Sequence, residues 1–333
     1  MSGRNLQAMR RQRAAPTRRQ TGVALITAVL IVALATILAV DVGFKGFLDQ
    51  RRTATAFAID QSFEVALGGE AWAADTLRRD KIQSPKQDDL SEEWATPIPP
   101  LPIDDKGEFQ GQLEDMQGRF NLNNLVKFEG GVSKVDELAV KRLERLLDIL
   151  QMEPKWAKII ADWIDSDTNA EFPDGAEDPV YTGLTPPYRT ANMPITRTSE
   201  ILAINEFGLD RYRKLEPFIA ALPVGTTINL CTASVELLDA LVEGRRQFTM
   251  ARDSTKETRE TRCFPNKQEF EQPLSQEEKQ ELIEGKVVDQ ISSYFRASIW
   301  VTLGTNRYTL YSLLYRNDGT NLVRPILRSQ GTP

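Results

Sequence analysis

The chain opens its hydrophobic pattern with an unbroken apolar run. Val23 to Val40 holds 18 residues and no charge, and at roughly 1.5 Å per residue it spans about 27 Å of helix, close to the ~30 Å of a hydrocarbon core. Thr27 and Thr36 are tolerable inside it, since a hydroxyl can return to a carbonyl of its own helix. Beyond Val40 the helical spacing continues to about Arg79. There Phe44, Phe47, Leu48, Phe57, Phe63, Leu67 and Trp72 form a stripe among Asp, Arg and Gln, with Gly68-Gly69 as a weak point where a bend is expected.

The pattern then breaks. Ser84 to Pro102 is proline-rich and predicts an irregular connection. Glu108–Met116 and Arg119–Leu122, split by Gln117-Gly118, predict a hairpin that Asn121-Leu122-Asn123 closes. From Ser133, an expected N-cap, to about Ala221 the apolar spacing is helical, with further helices at 156–164, 198–204 and 212–218. Strand character returns at 226–230. A helix capped by Ser234 or Thr232 follows, then a polar loop over 248–273. Another helix opens on a Ser275/Glu278 capping box. Tyr294–Leu303 and Arg307–Tyr315 alternate as a hairpin around Gly304-Thr305-Asn306, and 321–327 adds a last strand. These elements predict an α+β chain: a long N-terminal helix packed on a small antiparallel sheet, with a large helical domain inserted between strands. The expected parts are a leader over 1–22, a transmembrane segment over 23–40, the rest of the spine helix over 41–80, an α/β domain from 81–125 and 222–333, and the inserted helical domain over 126–221.

Charge gives this pattern a direction. Arg4, Arg10, Arg11, Arg13, Arg18 and Arg19 precede the apolar run with no acid among them, and basic residues beside such a run stay in the cytoplasm, so the bulk of the chain should face outward. A secretory signal peptide is the competing reading, cut after Ala35 or Ala39. The long arginine-dense leader and the glycine at its border argue against it. The 41 basic residues fall to 35 against 47 acidic ones once the leader is removed, a formal charge of −12, which disfavours nucleic acid. With no histidine in the chain, Ser-His-Asp and Cys-His catalysis and His-ligated zinc are excluded. Cys231 and Cys263 would form a disulfide in an extracytoplasmic domain; two free buried thiols are the alternative.

The junction Gln20-Thr21-Gly22-Val23-Ala24-Leu25-Ile26-Thr27 resembles the processing site of type IV pilin-like precursors. In that family a membrane peptidase cuts after the glycine and methylates the new N-terminus, here Val23 after Gly22. The fifth mature residue, usually glutamate there, is Thr27. With the order of the other parts, this departure resembles the K-class minor pseudopilins of the type II secretion system. The resemblance implies an inner-membrane, single-pass protein with its globular part in the periplasm, placed at the tip of the pseudopilus, where it initiates or caps the fibre. The implied partners are the I- and J-class minor pseudopilins, the major pseudopilin, the prepilin peptidase and secreted cargo. No enzymatic activity is implied. A carboxylate at position 27 would be costly in the apolar layer unless paired; threonine avoids that cost and forgoes the pairing.

The densest chemical signal is 162–178, with seven carboxylates and one carboxamide in 17 residues. Such an oxygen-rich cluster suits calcium. Asp165, Asp167 and Asn169 fit the first three positions of an EF-hand, but Ala170 and Ala176 stand where glycine and glutamate are needed, so the loop is not one. It resembles the calcium loop of K-class pseudopilins, which implies Asp165, Asp167, Asn169, Asp174, Glu177 and Asp178 as ligands, with Glu171 and Glu200 as further candidates. Two other functions compete. A membrane-anchored periplasmic hydrolase would use paired carboxylates such as Asp165 and Asp167. A minor pilin of a type IV pilus or DNA-uptake system would use the helices of 194–218.

Overall fold

The computed structural model describes residues 21–103, 107–317 and 319–332; the leader arginines lie outside them. Contacts divide the chain into a unit ending at Ala58 and a unit beginning at Ile59.

In the first unit, helix α1, Thr21–Gln83, begins at the glycine border and carries an apolar stretch of mean hydropathy 3.0, long enough to cross a membrane. Thr27 Oγ1 donates to Val23 O (3.1 Å) and Ala24 O (3.0 Å), and Thr36 to Val32 O at 2.8 Å. Both hydroxyls are thus satisfied inside their own helix.

The second unit holds the remainder of α1 against a five-stranded antiparallel sheet. Its strands are β1 (Ile98–Ile103), β2 (Gly107–Asp115), β3 (Tyr294–Leu303), β4 (Asn306–Arg316) and β5 (Val323–Gln330), in spatial order β1-β2-β3-β4-β5. The face α1 presents runs through Ser62, Ala66, Gly69, Ala73 and Leu77, spaced by three and four. Beneath it lie Leu113, Phe295, Ala297, Ile299, Val301, Leu310 and Leu314. The helix continues through Gly68-Gly69 with no break in its assignment, and the expected bend is absent. Gly69 is instead a point of contact: a Cβ there would collide with the Phe109 ring and crowd Ile299. Gly69→Leu should cost about 2 kcal/mol by overpacking, read as a lower urea midpoint; an unchanged midpoint would show that the helix can lift off freely. Buried Glu70 fastens the same contact, accepting from Arg328 (2.7 and 2.8 Å) and from Ser312. Burial pushes this carboxyl up, but the Arg328 and Ser312 hydrogen bonds outweigh it and hold it below the usual range.

Several local expectations are corrected. The proline-rich stretch is not wholly irregular: its end is edge strand β1, whose Pro99, Pro100 and Pro102 are tolerated because an edge strand pairs on one side only, and a bulge separates Ile98 from Leu101. The 108–122 hairpin does not form. β2 pairs with β1 and β3, while Phe120-Asn121 pairs in parallel with Ile219-Ala220. Ser133 lies in a strand paired with 126–129, and Asp136 caps the next helix by accepting from Leu138 N and Ala139 N. The expected polar loop 248–273 holds three short helices, 247–250, 252–259 and 267–271. They dock through Phe248 and Phe270 and through buried Arg259, which donates to the carbonyls of Phe264 (2.6 Å), Ala233 (2.6 Å) and Leu230 (3.0 Å). Ser234 caps its helix from Leu237 N, and the Ser275/Glu278 capping box is present.

The helical part is built on α2 (Glu137–Ile149), α3 (Trp156–Ile164) and α4 (Gly208–Leu215). Its apolar cluster runs from Phe120 through Leu143, Ile160 and Phe207 to Leu282 and Val288. It therefore extends past Ala221, where the helical domain was expected to end, because the 235–240 helix packs on α2. Cys231 and Cys263 are joined by a disulfide 32 residues apart in sequence, which ties the three short helices to this core. Replacing both with serine should cost about 4 kcal/mol in the loop-entropy model. A reduced protein melting at the oxidised temperature would contradict that figure.

Candidate metal centre

Helix α3 ends at the acidic loop. It is amphipathic, with Trp156, Ile160, Trp163 and Ile164 in the core, and Asp162 and Asp165, three residues apart, lie on one face at its C-terminal end. The loop then returns through the turn at Gly175, whose N–H donates to Glu171 O at 2.6 Å, and brings Glu177 to the same place. The carboxylate oxygens of Asp162, Asp165 and Glu177 lie within 4.8 Å of one another, and all three residues are buried. Oxygens on opposite sides of one calcium ion are about 4.6–5.2 Å apart, twice the ~2.3–2.6 Å coordination distance, so this spacing suits a single ion.

Three features test the fit of a cation. Asp165 Oδ1 and Glu177 Oε1 are buried with no hydrogen-bond partner, and so is Asn192 Oδ1. Asn192 is held at the loop because its N–H donates to Trp163 O (3.1 Å) and its Nδ2 to Asp167 O (2.7 Å). Gly175 lies so near that a Cβ would meet the Asp162 carboxylate and the Glu171 backbone. Buried acceptors without donors are expensive, and two of these three belong to carboxyl groups. Burial first, then the charges of Glu177 and Glu171, push Asp162 up to about 7, against hydrogen bonds from the backbone of Glu171 and Ala176. Burial, with Asp167, Asp162 and Glu177, pushes Asp165 up to about 7. Glu177 is raised for the same first reason, opposed by the Thr190 hydroxyl. The donor set is oxygen only, and among the described residues no Lys or Arg pairs with it. It fits a hard divalent ion.

Of the residues expected as ligands, the structure brings Asp165 and Glu177 together. Asp167 is exposed and its carboxylate accepts from Asn169 N at 2.7 Å. Asn169 and Asp174 are exposed. Asp178 accepts from Thr190 N and Oγ1 (3.2 and 3.1 Å) and pairs with Arg189 at 3.7 Å. Glu171 contributes its backbone N–H to Asp162 rather than its carboxylate. Glu200 serves the turn it starts, accepting from Thr196 N (2.7 Å), Thr196 Oγ1 (2.9 Å) and Arg197 N (2.9 Å). Asp162 and Asn192 are brought to the site without having been expected there. The i, i+3 spacing of Asp162 to Asp165 on a helix was a usable signal for the first; nothing in the sequence near Asn192 marks the second.

The sequence and fold have close counterparts. A protein of Pseudomonas aeruginosa, the type II secretion system protein K, is 36% identical over 94% of this chain and 94% of its own length. The chain belongs to the type II secretion system protein K family. Another type II secretion system protein K, from Aeromonas hydrophila, is 32% identical over 92% of this chain and 96% of its own. The family model for type II secretion system protein K matches residues 118–224, which contain the acidic loop. In fold, the chain matches a solved structure from the GspK-GspI-GspJ complex of the enterotoxigenic Escherichia coli type 2 secretion system, with a TM-score of 0.72 and 24% identity, covering 85% of this chain and all of that one. Within type II secretion system protein K, the expected α+β architecture is the one found: long apolar N-terminal helix, small antiparallel sheet and inserted helices.

Proposed function

We propose that this protein is the minor pseudopilin at the tip of the type II secretion pseudopilus, where it initiates and caps the fibre that exports folded proteins from the periplasm. The observation that carries the reading is Thr27. It sits in an apolar helix that starts at the glycine border, and its hydroxyl is satisfied by that helix, so this subunit brings no carboxylate for a neighbour's N-terminal amine. The matched solved structure is of a three-protein complex, which supports I- and J-class pseudopilins as partners; the major pseudopilin lies below them, and cargo meets the exposed end. The chain enters the inner membrane once, with its globular part in the periplasm, after the prepilin peptidase cuts between Gly22 and Val23 and methylates Val23. A structural calcium ion held by Asp162, Asp165 and Glu177 orders the loop from Asp165 to Pro194. The role is assembly and needs no catalysis.

N-terminal sequencing and intact-mass measurement of protein purified from membranes test this directly. The expected species starts at N-methylated Val23. A start after Ala35 or Ala39 removes the pilin-like assignment.

A further inference from the structure

Past Val40 the apolar character of α1 does not stop. Phe44, Phe47 and Leu48 carry it on to Arg51, and at spacings of three and four these residues share one helix face. Phe44 and Phe47 are exposed. A second stripe, Asp41, Lys45, Asp49 and Arg52, runs beside them. Its charges cancel in pairs, Lys45 with Asp41 at 2.7 Å and Arg52 with Asp49 at 3.4 Å. Among the described residues Arg51 makes no ion pair. Its guanidinium lies on the Phe47 ring, 5.1 Å from the centre. Exposed rings, cancelled charges and one cation left over therefore occupy the two turns after the apolar run.

Height decides what these groups meet. A span that starts at Val23 crosses the ~30 Å hydrocarbon core in about 20 residues and leaves it near Val42. The headgroup layer beyond is about 5–7 Å thick. Phe44 and Phe47 then stand about 3 and 8 Å past the edge of the core, inside that layer and at its rim. The Arg51 backbone stands about 13 Å past the edge, but helical side chains lean toward the N-terminus. Contact with Phe47 brings the guanidinium down by about one turn, to the level of the lipid phosphates.

Given the membrane span proposed above, on which this rests, we infer that residues 44–51 lie in the headgroup layer of the periplasmic leaflet, where Arg51 binds the phosphate of an anionic phospholipid. A guanidinium presents several donors to phosphate oxygens. A zwitterionic lipid carries an ammonium that cancels its phosphate, whereas an anionic lipid leaves that charge for Arg51. One basic residue at such a surface is worth about fivefold in binding. The chain as a whole is acidic, so a preference for anionic lipid belongs to this stretch and not to net charge.

The test is native mass spectrometry of the processed chain, purified from membranes in detergent and titrated with phosphatidylglycerol or phosphatidylcholine of the same acyl chains. Lipid held by the apolar run alone adds equally in both, so the ratio reports the headgroup. Bound phosphatidylglycerol should exceed phosphatidylcholine about fivefold. Arg51→Gln, at an exposed site, should bring the ratio close to one and leave the melting temperature alone. Phe47→Ala should lower it about twofold, because the ring holds the guanidinium at that height. Arg78→Gln, an exposed change farther along α1, should leave the ratio unchanged. Flotation with phosphatidylcholine vesicles checks the span by itself. A chain that does not float removes the span and the lipid site with it. A chain that floats with a ratio near one, or with a preference that survives Arg51→Gln, overturns the lipid site alone and leaves the stripe to a neighbouring helix of the fibre.

Discussion

Removing calcium with EDTA should lower the melting temperature of the purified protein by roughly 10 °C. The size follows from linkage. An ion at ~1,000 times its dissociation constant stabilises by about 4 kcal/mol, and for a unit of this size each kcal/mol moves the midpoint by about 2–4 °C. The reason to expect tight binding lies in the site itself: Asp162, Asp165 and Glu177 are buried, two of them hold oxygens with no donor, and among the described residues no arginine or lysine pairs with the three. Asp165→Asn separates an ion site from a solvated acidic loop by the sign of its effect. With calcium present, the substitution should lower the melting temperature, because an anionic ligand is lost. With EDTA present, it should raise it, because one of three crowded buried charges is gone. Magnesium should substitute poorly, since it demands closer, near-octahedral oxygens. A melting curve indifferent to EDTA, or an Asp165→Asn effect of the same sign in both conditions, would remove the ion from the account.

What the sequence made legible here divides along physical lines. The apolar helix, the β3–β4 hairpin and the Ser275 cap follow from local rules of period, turn and capping, and those hold in the structure. Apart from the cap of α2, which is Asp136 and not Ser133 because 126–129 and 132–135 pair as a local hairpin, the losses are non-local. Phe120-Asn121 looked like the return of a hairpin, yet its partner is Ile219-Ala220, 99 residues away. Gly69 looked like a flexible joint because nothing local shows that the Phe109 ring will press on it. The segment 248–273 looked like a loop because Arg252–Arg259 is almost wholly polar; it is helical since a disulfide, two phenylalanines and the three carbonyl contacts of Arg259 hold it down. At the acidic site the oxygen-rich composition was plain, but choosing among its carboxylates needed burial. Composition cannot tell Asp167, which faces water, from Asp162, which faces the site. The asparagines at 121–123 were half legible. Asn123 does sit in a turn, 122–125, which the Asn121 side chain caps; what stayed hidden is that its Nδ2 donates to Ile195 O and Leu222 O, both at 2.8 Å, and its Oδ1 accepts from Ile195 N, stitching distant segments together.

Replacing Arg316 by methionine should destabilise the protein by about 4 kcal/mol at pH 7.5, near the cost of breaking a buried ion pair from one side. Arg316 is fully buried at the end of β4, its guanidinium 4.8 Å from the Phe295 ring centre. It donates to Asp80 (3.0 Å) and Leu77 O (3.3 Å) at the end of α1, to Asp88 in the following connection, and to Ser292 O (2.7 Å) before β3. One side chain therefore locks the helix, the connection and the sheet. Asp88 extends the lock by accepting from Ser292 N at 2.7 Å, while Asn229 donates to Asp88 O and to Asp115, both at 2.9 Å, reaching the helical part. Asp80, Asp88 and Glu92 come together here, and Arg316 is the cation that bonds to two of them. Burial first, then Glu92 and Asp88, push Asp80 up to about 7 against the pull of Arg316. The sign of the pH dependence follows. Between pH ~4 and ~7 the unfolded chain has ionised this carboxyl while the folded one still holds its proton, so the unfolded state binds fewer protons and stability falls as pH rises. Without the guanidinium Asp80 holds its proton harder, and the fall must steepen. Arg316→Met should therefore cost clearly less at pH 5 than at pH 7.5 in urea titrations. Arg316→Lys should lie between, because an ammonium keeps the charge but cannot fork to Asp80 and Asp88 together. A cost independent of pH would mean that Arg316 acts through its packing on Phe295 and not as the counter-charge of this cluster.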